Sequence, residues 1–352
     1  MFLTGLGIAV PPQRYTQSEC WAAVQQSPLL PELDTRARAL LKKVLTSENG
    51  IATRHFAVSN LTQCFFLTPD VLHSRFAHNA PVLAAQAAER AIDSAKISRD
   101  KVGALLISTC TGYLCPGLTS YVGERLGLRT NVLNLDLVGQ GCGAAMPNFR
   151  TAEALLTAGK AQNVLSVCVE VCSAAFYLDN DPGVLISACL FGDGAGAAIL
   201  SVKPAEHARR IEWHAASSFL SPTDRDELRF EQRDGMLRNI LSPQVPAIAG
   251  KHVKALLHEM LLHSGLSQKD ITGWILHGGG REVLMALQKS LGIDAEEVRL
   301  SAGILHDYGN VSSPFVLFVL EQALAKQAPG GWWWMATFGA GFSCHGALLK
   351  VD

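Results

Sequence analysis

The sequence predicts an α/β protein built of two similar α/β halves facing each other across a shared site. Three observations predict it. From about residue 80, apolar runs of strand length alternate with segments of helical periodicity; the strand runs are apolar almost throughout; and the residues with chemical potential fall on strand-to-helix turns of both halves. Strands that lack polar alternation belong in a sheet covered on both faces. A chain of 352 residues, 48% of them hydrophobic, can bury such a core, and the halves are placed at residues 1–202 and 203–352.

The elements follow in chain order. PVLAAQAAERAIDSA has helical periodicity, and KVGALLIST is a short apolar run suited to a buried strand. YVGERLGL reads as a helix, VLNLDL as a strand, and GAAMPNFRTAEALLTAG as a helix with Met146, Phe149, Leu155 and Leu156 near helical spacing. NVLSVCVEV and GAGAAILSV are the next strands. Residues 203–250 are more polar and are expected to be irregular. The alternation then resumes: KHVKALLHEMLLHSGL is a helix, ITGWILHGGG a strand with its glycine turn, REVLMALQKSLG and SSPFVLFVLEQALAKQ are helices, and GGWWWMATFGAGFSCHGALLKV is a closing strand pair. Trp332, Trp333 and Trp334 are expected to pack a sheet interior, as large aromatics do.

Composition excludes several functions. A net charge of -1 without a long Lys/Arg run gives no electrostatic footprint for nucleic acid. MFLTGLGIAVPPQRYTQ has no basic segment before its apolar stretch, and Pro11 and Pro12 end that stretch too early for a signal peptide or a membrane span. Nine scattered cysteines without a CxxC pair read as reduced thiols, hence a cytoplasmic protein. The glycines of GDGAG could cradle phosphate, but a strand-like run follows them where a dinucleotide fingerprint needs a helix.

Three positions could carry chemistry. Cys142, in GQGCGAA, follows a strand and precedes a long helix, where the positive helix end can lower a thiol pKa. Gly141 and Gly143 permit a tight turn and let a thioester approach backbone amides able to hold an oxyanion. The alternative is a buried structural cysteine. His277, in WILHGGG, is the only histidine that leaves an apolar strand directly into glycines, at the carboxyl end of a sheet, where α/β proteins bind ligands. Asn310, in DYGNVSS, lies in a short loop before a helix, where a cap or turn residue is the simpler reading. Taken together, Cys, His and Asn fit either a thiol hydrolase, with Asn orienting His, or a condensing enzyme, with His and Asn both donating to a thioester carbonyl.

In this order, and on the turns of two α/β halves, the set resembles the thiolase-like superfamily, and within it the chalcone-synthase-like type III polyketide synthases. The matching segments are GQGC at 139–142, LFGDGAGAAIL at 190–200, HGGG at 277–280, YGNVSS at 308–313 and FGAGF at 338–342. The resemblance runs from about residue 100 to the C-terminus. Gly278 and Ala340 stand where the plant enzymes usually carry proline, and GCGAA replaces a bulkier GCFAGG.

The resemblance implies a layered αβαβα fold, with Cys142 as nucleophile and His277 and Asn310 as partners. It implies a substrate site at Cys110, Cys115, Cys172, Ala175, Gly279 and Ser312, with Phe191 as the gatekeeping aromatic. It further implies acyl-CoA and malonyl-CoA as substrates, no metal or redox cofactor, and a homodimer in which Cys115 nears the partner's cavity. Arg54 and Lys43 are the cations expected to meet CoA at the tunnel mouth. Within the fold, a single-round ketoacyl synthase is the alternative, although Val311-Ser312-Ser313 fits the polyketide group better than the usual Thr-Ser pattern. A non-catalytic acyl-binding relative is a further alternative.

Overall fold

The computed structural model describes residues 1–352. Strand β1 (Phe2–Ala9) opens the chain, and the short β2 (Arg14–Thr16) leads into helix α1 (Gln17–Gln25), started by a Thr16–Glu19 capping box. Helix α2 (Thr35–Thr46), capped by Asp34, precedes β3 (Thr53–His55), which pairs antiparallel with β2. Helix α3 (Pro69–Ala95) starts at the Thr68 cap, well before the predicted onset at Pro81. Pro81 sits inside it, because the buried alanine stripe of Ala80, Ala84, Ala87, Ala88 and Ala91 runs on through it and packs on β1 strongly enough to offset one lost backbone bond. That contact is close: a Cβ at Gly7 would strike the backbone of Ala87 and Ala91.

Then come β4 (Ala104–Ser108), α4 (Leu118–Leu126), β5 (Leu133–Leu137), α5 (Ala145–Thr157), β6 (Asn163–Glu170) and β7 (Gly194–Ser201), which match the predicted alternation, with α6 (Pro182–Leu190) as an unpredicted helix between β6 and β7. Residues 203–250 depart from the expected irregularity, since they hold β8 (Ile211–Leu220) and a hairpin of β9 (Leu228–Arg233) and β10 (Met236–Leu241). The alternation of Ile211 and Trp213 was the available signal; beyond Trp213 most of β8 is exposed or half-buried, so the apolar pattern fades. The chain ends with α7 (Val245–Ser264), β11 (Ile271–Leu276), α8 (Arg281–Leu291), α9 (Arg299–Tyr308), α10 (Phe315–Ala325), β12 (Gly331–Gly339) and β13 (Ser343–Val351).

Nine strands run in the order β11-β12-β13-β8-β1-β7-β6-β4-β5, with β1 and β8 joined through the pair Phe2 and Glu212. Alternate side chains along these strands enter different cores. On β4, Ala104 and Leu106 meet α5 and α10, while Leu105 and Ile107 meet α3 and α4. On β12, Trp333 and Met335 join the central core, while Trp334, Ala336 and Phe338 face α7 and α8. The result is helices α3 and α4, strands, helices α5 and α10, strands, and helices α7 and α8. These are the five layers of a thiolase-like fold, with Trp333 and Trp334 buried in the sheet interior as expected, while Trp332 is half-buried at its margin. No helix is long and apolar enough to cross a membrane. Because α5 is central and apolar (Met146, Phe149, Leu156), the turn that starts it is held inside the molecule.

Candidate active site

That turn carries Cys142. Gly141, at φ 54°, packs against the Ala340 amide, and a short 3-10 turn over Gly141–Gly143 delivers the chain into α5. The N–H groups of Gly143 and Ala144 close the turn onto the carbonyls of Gln140 and Gly141, so these two amides are occupied. Thr337 holds the Gly143 carbonyl from β12. The Cys142 thiol, 8% exposed, lies 3.1 Å from the Ser312 hydroxyl.

Ser312 connects the Cys142 turn to the Asn310 loop. It is a non-glycine residue at φ 61°, a strained conformation held by its surroundings: the Asn310 Oδ1 accepts its N–H at 2.9 Å. Asn310 Nδ2 donates to the Gly279 carbonyl at 3.1 Å, which leaves its second amide proton for a ligand. The Asn310 backbone pairs with the LFGDG turn, receiving from Gly192 and donating to Leu190. Gly279 in turn borders His277: a Cβ there would sit 3.7 Å from the His277 Nε2. The His277 ring, 1% exposed, is wedged edge-on between Phe315 and Phe338, and its Nδ1 has no hydrogen-bond partner. Cys142, Ser312, Asn310, Gly279 and His277 therefore follow one another as neighbours from three separate turns.

Burial dominates the electrostatics. It pushes the Cys142 thiol up to about 12 despite the Ser312 hydrogen bond, and it lowers His277 to about 3. Desolvation favours the neutral form of both groups, and passing the thiol proton to an imidazole would leave the net charge of the site unchanged.

One residue central to the site was not singled out in the sequence. Glu170, fully buried at the end of β6, accepts from Ser313 at 2.5 Å, Thr111 at 2.9 Å, the Cys110 amide at 3.0 Å and thiol at 3.2 Å, and Ser312 at 3.4 Å. Burial raises its pKa, and these donors work against that shift. A carboxylate closing the apolar run NVLSVCVEV was the visible signal. Glu170→Ala strands several buried hydroxyls and is expected to cost about 3 kcal/mol of stability, read from urea unfolding; a loss well under about 1 kcal/mol would show that the network is not holding the site.

A cavity opens beside Ser312 and is lined by Cys172, Ala175 and Phe191, together with Phe176, Phe230, Ser187 and Asn239. Cys110 contacts Ser312 and Glu170, and Cys115 is exposed. Arg54 is a correction. It is 2% exposed and spends its guanidinium on the carbonyls of Ala188 and Phe191 and on Gln17, bracing the LFGDG turn, so it cannot meet CoA at a tunnel mouth. Lys43 is exposed on α2.

Five alternating layers around a buried cysteine at the start of a central helix define an enzyme of thiolase-like architecture. A family model described as FAE1/Type III polyketide synthase-like protein matches residues 11–216, and one for the C-terminal domain of chalcone and stilbene synthases matches residues 212–351. The 3,5-dihydroxyphenylacetyl-CoA synthase of Streptomyces toyocaensis is 32% identical over 250 residues, spanning 69% of this chain and 64% of its own length. That of Amycolatopsis balhimycina is 30% identical over 269 residues, 75% of this chain and 72% of its own. PKS-I from the brown alga Ectocarpus siliculosus superposes with a TM-score of 0.90 at 27% identity, covering 99% of this chain and 98% of its own. The 1,3,6,8-tetrahydroxynaphthalene synthase of Streptomyces coelicolor shares the fold at a TM-score of 0.88 and 24% identity, over 100% and 99% of the chains. The chain belongs to the type III polyketide synthase family, whose members are condensing acyltransferases.

Proposed function

We propose that Cys142 takes an acyl group from a starter acyl-CoA, that malonyl-CoA extends it by decarboxylative condensation, and that the polyketide then cyclises in the cavity. In this reading His277 accepts the thiol proton as the sulfur attacks the thioester, and CoA leaves. Loss of CO2 from malonyl-CoA produces an enolate, whose oxygen takes hydrogen bonds from His277 and from the free amide proton of Asn310. The enolate carbon attacks the Cys142 thioester and frees the sulfur. The observation that carries the reading is the unbroken run Cys142–Ser312–Asn310–Gly279, assembled from distant turns beside a cavity that Ser312 lines.

An aliphatic starter is favoured by a second pocket with a nearly all-apolar lining, formed under α1 and α2 by Cys20, Val24, Leu41 and Leu45. It shares Phe56, Phe176 and Ala188 with the first. An alkylresorcinol, alkylpyrone or similar phenolic product follows, and relatives that make a dihydroxyphenyl product support ring closure. A homodimer is supported by β5, an outermost strand with Asn134, Leu135 and Asp136 exposed, which offers a free edge to a second copy. Nine unpaired cysteines support the cytoplasm. Lys43 is retained as a cation for CoA.

Incubation with radiolabelled malonyl-CoA and a panel of acyl-CoAs tests the reading. Extended, cyclised products are expected. A single extension would instead mark a ketoacyl synthase of the one-round kind, free acid alone a thiol hydrolase, and no turnover a binder.

A further inference from the structure

The cavity wall carries a polar pair that the reaction described above does not use. Asn239 on β10 is 6% exposed and lines the cavity together with Ser187 on α6. Its Nδ2 donates to the Ser187 hydroxyl at 2.9 Å, while its Oδ1 has no partner, and Ser187 Oγ makes no other hydrogen bond. Most of their neighbours in the cavity, among them Phe176, Val184, Phe191 and Phe230, are apolar. A buried amide oxygen left unpaired in such a place is unusual, because nearly all buried polar atoms find partners. The arrangement does not depend on which way the amide is turned. With Nδ2 toward Ser187, the free groups are the Oδ1 acceptor and the serine O–H donor; with Oδ1 toward Ser187, they are an amide N–H donor and the serine oxygen.

We propose that Asn239 and Ser187 form a recognition pair for the enolised 1,3-dicarbonyl of the growing polyketide. The proposal rests on the condensing function above and deepens it. An alkyl or aryl starter brings no side-by-side donor and acceptor into the cavity. Successive malonyl units do, since two carbonyls separated by one carbon enolise to a hydroxyl beside a carbonyl. The hydroxyl donates to the free acceptor of the pair, and the carbonyl accepts from its free donor. The pair would then retain extended chains until the last condensation and hold them in register for ring closure, making Asn239 a specificity-determining residue for chain length.

The test compares wild type, Asn239→Leu and Ser187→Ala with one acyl-CoA and malonyl-CoA, separating products by mass. Leucine repeats the branched heavy-atom outline of asparagine but is bulkier and narrows the cavity, whereas Ser187→Ala widens it, so a shift shared by both variants reports the lost polar pair and not the volume. In Asn239→Leu, the fraction of chains released before the final extension is expected to rise about tenfold, the scale of one hydrogen bond lost from a desolvated site. Ser187→Ala is expected to shift the same fraction in the same direction, and it decides the matter alone if the leucine variant does not fold. Acyl loading, read by intact mass, should change much less than early release. An unchanged product distribution would overturn the proposal, as would a fall in loading that parallels the fall in extension, which would mark a structural role. If wild type forms no carbon–carbon bond, the condensing reading fails first, and this proposal with it.

Discussion

Replacing Cys142 by alanine is expected to abolish acyl loading and lower product formation by roughly four orders of magnitude or more, the scale seen when a covalent nucleophile is removed. Malonyl-CoA decarboxylation should persist in part, because it needs only the enolate donors, and His277 and Asn310 remain in place. The contrast between the two readouts identifies the nucleophile. A merely buried structural cysteine, which the 8% exposure of Cys142 alone would permit, would disturb both together through the packing of α5. Condensation at the wild-type rate in Cys142→Ala would remove this residue from the reaction.

The second large effect is expected at Asn310. Asn310→Ala should cut malonyl decarboxylation by about 10²–10³-fold, the range for losing one oxyanion donor, with far less effect on acyl loading. The simpler reading of this residue was a turn or cap. The structure gives it such a duty, since its Oδ1 holds the Ser312 N–H and its Nδ2 holds the Gly279 carbonyl. Both duties use one amide, but only catalysis uses the second amide proton. Comparing Asn310→Ala with Asn310→Asp isolates the Ser312 duty: aspartate keeps an acceptor for Ser312 but loses both amide protons, the one on the Gly279 carbonyl and the free one. Unchanged decarboxylation in both variants would leave Asn310 as a turn residue.

Much of this molecule can be read from its residues, for identifiable reasons. The strands β4, β6, β7 and β11 announce themselves because both faces are covered, and the helices α5, α7 and α10 because their periodicity is intact. Cys142, His277 and Asn310 stand out through their glycine-rich settings at the ends of such elements. What was missed lies where local pattern and tertiary role diverge. Strand β8 has its apolar alternation only over its first residues, and α3 continues through a proline that reads as a boundary. Arg54 looked like a surface cation because arginine usually is one; only the fold reveals the carbonyls of Ala188 and Phe191 converging on it. Glu170 escaped notice because its donors Thr111, Ser312 and Ser313 come from distant parts of the chain. The depth at which Cys142 is buried, which pushes its thiol upward, was not legible from its position at a helix end.

The central claim is that Cys142 is the sulfur that carries the acyl chain. Intact-mass analysis of the protein after exposure to a fatty acyl-CoA without malonyl-CoA, followed by peptide mapping, measures this directly. A single acyl adduct is expected on the peptide containing Cys142, discharged when malonyl-CoA is added. An adduct confined to Cys110 or Cys172, or an adduct on Cys142 that malonyl-CoA leaves in place, would contradict it.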